Sequence, residues 1–170
     1  MENESELLSN YELERLFKMI NVPLNQCSYK DLMNINSAGN YIINLDHSNP
    51  YDGYLGTHWV ALYINPTSTH ALYYDSFGDK PPPPIIITKL KQYNPHIQII
   101  TNLKQIQHIK SIYCGWFSLF FLYFCHHNNK KLKPKEMLKK YGTIFYYDTP
   151  SNREKNDIIL KRNIKRIFGI

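Results

Sequence analysis

Cys114-Gly-Trp-Phe-Ser-Leu-Phe-Phe-Leu-Tyr-Phe-Cys125 decides the fold. Wound at 3.6 residues per turn it is apolar all round, so it predicts a helix in the middle of a core, packed on by its neighbours. Its apolar stretch, Trp116 to Cys125, is about half the ~20 residues that a bilayer crossing needs, so no membrane span is expected.

Upstream, Ile97–Ile100 is a strand candidate. Pro81–Pro84 exclude regular structure until a short helix over Ile85–Tyr93, proline being tolerated at a helix start. His58–Ile64 and Ala71–Ser76, joined by a turn at Asn65–Thr69, read as an antiparallel hairpin. Before it, Tyr41–Leu45 reads as a strand and Asp46–Gly56 as the loop that delivers the chain to His58. Ser9 with Glu12 forms a capping box, and Leu13, Leu16, Phe17 and Ile20 recur at helical spacing, so a first helix runs to about Pro23. Ser28 with Asp31 marks a second, shorter helix. Downstream, Lys133–Tyr141 predicts a helix, Thr143–Tyr147 an edge strand and Arg153–Phe168 a basic amphipathic helix. No repeat or linker divides the chain, so residues 1–170 are expected to form a single domain.

Composition narrows the function classes. With 43% hydrophobic and 14% aromatic residues the chain is globular in character, not disordered. The acidic N-terminus lacks the basic and apolar regions of a secretory signal. The three cysteines, Cys27, Cys114 and Cys125, are odd in number and form no C-x-x-C pair, which argues against a disulfide framework and for a reducing compartment. A net charge of +6 favours non-specific contact with an anionic partner such as DNA, the alternative being a merely solvated surface. H-E-x-x-H, P-loop and G-x-S-x-G patterns do not occur, so metalloprotease, nucleotide-hydrolase and serine-hydrolase readings fall away, and no metal site is expected.

The residues that carry chemistry form an ordered set: Gly56-Thr-His58-Trp59, then Tyr74-Asp75-Ser76-Phe77-Gly78, then Gln107-x-x-x-Ser111-x-x-Cys114-Gly115. A hairpin turning at Asn65–Thr69 returns Asp75 to the side of His58. A thiol in the first turn of a helix meets exposed backbone N–H groups and the positive end of the helix dipole, which favour its ionised form. Beside His58, Cys114 would act as nucleophile and the imidazole as its base, with Asp75 fixing the tautomer. The Cys114 backbone N–H and the Gln107 amide would form an oxyanion hole. Gly115 leaves room for substrate at the helix opening, and Trp59 packs over the catalytic pair and shields it from water. Cys125 lies three turns deeper on nearly the same face and reads as inert core. His126 and His127 cap the helix end.

Three stretches, Gly56-Thr-His-Trp-Val-Ala-Leu-Tyr-Ile-Asn-Pro66, Tyr73-Tyr-Asp-Ser-Phe-Gly78 and Gln107-His-Ile-Lys-Ser-Ile-Tyr-Cys-Gly-Trp-Phe117, resemble in order and spacing the adenovirus endopeptidase (adenain) group of cysteine proteases, which includes relatives in virophages and polinton-like elements. The likeness extends more loosely from about Leu8 through Tyr123. It implies an α+β fold with papain-like catalytic geometry, a central mixed sheet packed on a buried helix that starts at the nucleophile. It further implies catalytic roles for His58, Asp75, Gln107 and Cys114, and cleavage of viral precursor (capsid) proteins after small, glycine-containing sites during virion maturation. The setting implied is the host cell interior, virus factory or nucleus, and the virion, with the chain acting as a monomer.

The pattern departs from the family in two places. Asp75 stands where adenovirus enzymes have Glu, although the related SUMO-specific proteases use Asp. Adenovirus enzymes also join an upstream cysteine to a peptide cofactor, yet no cysteine lies between Cys27 and Cys114, so a disulfide-linked peptide activator is not expected. A DNA cofactor rests on the resemblance and the net charge. Two rivals remain open: a ubiquitin- or SUMO-like isopeptidase with the same catalytic order, and a catalytically inactive, basic, DNA-associated virion protein.

Overall fold

The computed structural model describes residues 7–48, 58–78 and 80–170. Five strands form one mixed sheet in the order β1-β2-β3-β4-β5: Gln26–Tyr29, Gly39–Asn44, Trp59–Ile64, His70–Tyr74 and Gln98–Thr101. The two outer pairs are parallel and the inner pairs antiparallel. All six residues of β3 are buried, as expected of a central strand covered on both faces. Their alternation divides the core, because successive side chains point to opposite faces. Trp59, Ala61 and Tyr63 meet one apolar cluster, and Val60, Leu62 and Ile64 the other.

The first cluster holds the helix that the sequence places in the middle. This helix, Cys114–Asn128, lies against β3, and Ser118 Oγ donates to the Trp59 carbonyl at 3.2 Å. The helices Asn10–Met19, Pro134–Gly142 and Asn156–Phe168 complete this side, and Pro84–Tyr93 covers the other. In chain order these are α1 (Asn10–Met19), α2 (Pro84–Tyr93), α3 (Cys114–Asn128), α4 (Pro134–Gly142), the short α5 (Pro150–Arg153) and α6 (Asn156–Phe168). Tyr141 from α4 sets its ring edge-on to Tyr74 at 5.1 Å and to Phe121 at 5.2 Å. Each such pair adds about 0.5–1.5 kcal/mol beyond area burial, so α4 is fastened to both sheet and helix. The architecture is the α+β class predicted from the sequence, a mixed sheet on a buried helix that opens at Cys114.

Local chemistry explains where elements differ from expectation. Ser9 and Glu12 do form the reciprocal capping box of α1. The Ser28–Asp31 pair caps no helix: residues 26–29 form β1, and Asp31 instead accepts from the Ser48 backbone N–H at 3.0 Å and from the Ser48 hydroxyl. The edge strand expected at Thr143–Tyr147 does not form, because both backbone groups of Tyr146 are taken by the side chain of Asn156. The C-terminal helix is split at Glu154–Lys155 into α5, capped by Thr149, and α6. Most of the Asp46–Gly56 loop lies outside the described residues.

Candidate active site

The β3–β4 hairpin pairs Ala61 with Tyr74 and Ile64 with Ala71, so its open end carries His58 just before β3 and Asp75 just after β4. There His58 Nε2 lies 2.8 Å from Asp75 Oδ1. The same Oδ1 accepts the Phe77 backbone N–H at 2.9 Å, a local turn that fixes the carboxylate. Asn102, just past β5, clamps the backbone of Asp75 from both sides, accepting its N–H at 2.9 Å and donating to its carbonyl at 2.6 Å.

With Nε2 given to Asp75, the other ring nitrogen of His58 is left for Cys114, to which the imidazole is also hydrogen-bonded. This reverses the nitrogens of the serine-protease triad, in which the carboxylate takes Nδ1. Burial opposes the imidazolium, but hydrogen bonds to Asp75 and Cys114 and the negative charge of both outweigh it, lifting the His58 pKa from 6.5 to about 9. The side chain is 23% exposed, so solvent still reaches the ring. Cys114 is the first residue of α3, and Tyr113 before it supplies no side-chain cap, so the helix opens on the thiol.

Gln107 reaches the same neighbourhood along a loop that folds onto the Asp75 turn. The backbone N–H groups of Ile106 and Gln107 both donate to the Ser76 carbonyl at 2.9 Å. Gly78 makes the approach possible: its φ is +70°, and a Cβ there would lie 2.1 Å from the Lys104 carbonyl oxygen. The buried carboxamide of Gln107 is oriented at both ends, its Oε1 accepting from the Ser76 hydroxyl and its Nε2 donating to the Ser111 carbonyl at 2.7 Å.

Trp59 and Gly115 sit side by side. Trp59 is buried in the cluster that contains Cys114, and its indole N–H donates to the Leu8 carbonyl at 2.8 Å. A Cβ on Gly115 would fall 3.3 Å from Leu8 and 3.4 Å from Trp59, so the space left by its missing side chain is filled by those two residues. The ring that packs on the imidazole is Phe77, its centroid 4.9 Å away. Phe77, Ser76 and Ser111 stand inside the quoted motifs with no role read from them. Asn102 carries no sequence signal beyond being polar at a strand end.

The other two thiols are kept neutral. Burial, with a smaller contribution from the charge of Glu14, pushes Cys27 up to about 12, and burial alone pushes Cys125 well above its ordinary value. Among the described residues no three His, Cys, Asp or Glu side chains converge as metal ligands would, and no helix is long and apolar enough to cross a membrane.

No protein-family model matches the chain, and no curated protein matches it. Among solved structures it is similar to the ASFV pS273R protease, at 17% identity over 83% of this chain and 68% of that one, with a TM-score of 0.45. The selenomethionine form of the same protease gives 18% identity, 60% and 42% coverage and a TM-score of 0.41. ChlaDub1 from Chlamydia trachomatis is similar at 16% identity over 77% of this chain and 60% of that one, with a TM-score of 0.45. In two of these three comparisons the chain spans less than two thirds of the other protein, 42% and 60% of its length.

Proposed function

We propose that the protein is a cysteine endopeptidase that processes viral structural precursor proteins at small, glycine-containing sites during virion maturation. The observation that carries this reading is the imidazole of His58, hydrogen-bonded on one side to Asp75 and on the other to the thiol that heads α3. Cys114 Sγ attacks the scissile carbonyl carbon, forming a C–S bond. The oxyanion is held by the Cys114 backbone N–H and by the second N–H of Gln107 Nε2, the first being given to Ser111. Collapse breaks the C–N bond as His58 gives its proton to the leaving amine. His58 then takes a proton from water, whose oxygen attacks the thioester, and C–S cleavage returns the thiolate.

Precursor proteins as substrates, action inside the host cell and virion, and contact with DNA follow from the family resemblance and the +6 charge. Co-expression of candidate structural precursors with the intact chain and with Cys114→Ala, read by mass spectrometry, tests activity and cleavage site together. New termini after glycine, present only with the intact chain, are expected; identical termini in both samples would end the proposal. A ubiquitin-family fusion cleaved in preference to the precursors would move the reading to an isopeptidase.

A further inference from the structure

The chemistry assigned to thiol, imidazole and carboxylate makes no use of the C-terminal segment, yet that segment grips the loop carrying Gln107. Asn156, the first residue of α6, is completely buried. Its Nδ2 donates to the Ile106 carbonyl at 2.7 Å, immediately before Gln107. The same amide closes on Tyr146, Oδ1 accepting from its N–H at 2.9 Å and Nδ2 donating to its carbonyl at 2.5 Å. One residue on, Asp157 Oδ1 accepts from the Ser111 hydroxyl at 2.9 Å. One turn further, Lys161 Nζ stands 4.5 Å from the ring centroid of Tyr113, the residue before the nucleophile. The start of one helix thus touches the loop before Gln107, at Ser111, and at the threshold of Cys114.

The contact at Ser111 bears on chemistry because the Ser111 carbonyl is also what the Gln107 amide donates to, at 2.7 Å. A carboxamide can rotate, and only one orientation points an N–H at a developing oxyanion. Here Ser76 selects the orientation from the oxygen side and Ser111 from the nitrogen side. Ser111 lies in a connecting segment with no strand or helix of its own, so its peptide plane is only as fixed as its partners make it.

We propose that Asn156 and Asp157 are positioning residues for the oxyanion donor, holding the 106–111 loop so that Gln107 presents its free N–H to the reacting carbonyl. This rests on the protease reading above. Neither residue touches substrate; both act through Gln107.

The test uses the full chain, a blocked glycyl-glycine aminomethylcoumarin amide as substrate, and iodoacetamide as a thiol probe whose reaction forms no oxyanion. Asp157→Ala should lower kcat roughly 10- to 100-fold with KM changed less than about twofold, the loss expected when a donor is displaced by about an ångström. Alkylation of Cys114 should proceed at the wild-type rate. Asp157→Asn, which keeps an acceptor oxygen, should restore most of kcat. Ser111→Ala, which cuts the same link and also removes the acceptor of the Tyr113 N–H, should lower kcat at least as far as Asp157→Ala, and the double variant should fall no further than Ser111→Ala alone. In a Gln107→Ala background, Asp157→Ala should cost nothing more. Wild-type kcat in Asp157→Ala and Ser111→Ala would overturn the proposal, as would an equal further loss in the Gln107→Ala background. Asn156→Ala removes a core amide, so these two variants decide the matter even if it fails to fold. A wild-type chain that leaves the amide intact, with Cys114 alkylated no faster than a model thiol, sinks the protease reading itself, a result distinct from any of these.

Discussion

Helix α3 carries a thiol near each end. Cys114 opens it at 5% exposure, hydrogen-bonded to His58. Cys125 lies at 0% exposure in the cluster shared with Tyr63, Phe121 and Tyr141, where burial keeps its proton on. Exposure hardly separates the two. What separates them is the company: one thiol faces an imidazole backed by a carboxylate at the uncapped start of a helix, and the other faces rings. On the protease reading proposed above, a buried cysteine is inert or nucleophilic according to whether a group nearby can hold the proton it gives up.

The harshest way to break that contrast is Cys114→Ala. Peptide cleavage should vanish, and brief iodoacetamide treatment at pH 7 should add no mass to the intact chain, because burial pushes Cys27 up to about 12 and holds Cys125 well above its ordinary value. An adduct on Cys125 would show that its surroundings are not inert.

Gln107→Ala should lower kcat by about 100- to 1,000-fold, the usual cost of one oxyanion donor. Cys114 alkylation should be unaffected, since in the proposed mechanism the amide acts on the carbonyl oxygen and not on the sulfur. Steady-state kinetics beside the alkylation rate separates the two roles. Equal loss in both would mean that the substitution had disturbed the helix head instead.

A smaller effect concerns pH. The folded pKa of His58 is raised from 6.5 to about 9. The stability contributed by its partners is therefore complete below pH 6.5 and is lost as pH rises through about 9. Asp75→Asn removes the carboxylate charge while keeping an oxygen for Nε2, so the upper limit should move down towards neutrality. Thermal unfolding followed from pH 6 to 10, with the alkylation rate over the same range, reports the shift; a limit still near 9 would remove Asp75 as its cause.

Much of this was legible in the sequence because the relevant signals are local. Ser9 and Glu12 spell a helix start, Pro84 opens α2, and the run from Cys114 can be satisfied only by burial. His58 and Asp75 are also legible, since strand length and turn position fix which end of a hairpin they share. Side chains whose partners are remote in the chain were hidden. Asn102 clamping Asp75, Asp31 serving Ser48 and Asn156 reaching Ile106 are each an amide or carboxylate bonding a backbone or hydroxyl group across the fold, and such residues look in sequence like any polar loop residue. The expected strand at Thr143–Tyr147 failed for the same reason: a distant asparagine took the backbone groups that the strand needed.

Cys125→Ser sharpens the contrast from its quiet end. The substitution nearly conserves shape but replaces a weakly polar thiol with a hydroxyl that must be hydrogen-bonded when buried. Left without a partner, such a hydroxyl costs about 1–3 kcal/mol. A serine within a helix can return its hydrogen to the carbonyl four residues back, here that of Phe121, so the loss should lie nearer the lower figure. Chemical denaturation should therefore show about 1 kcal/mol of lost stability with an unchanged m-value. The alkylation rate of Cys114 and peptide turnover should match the wild type, because Cys125 lies about three turns along α3 from the nucleophile. A fall in turnover larger than the fraction unfolded would mean that the far end of α3 reports to its head, and that the two thiols are not independent.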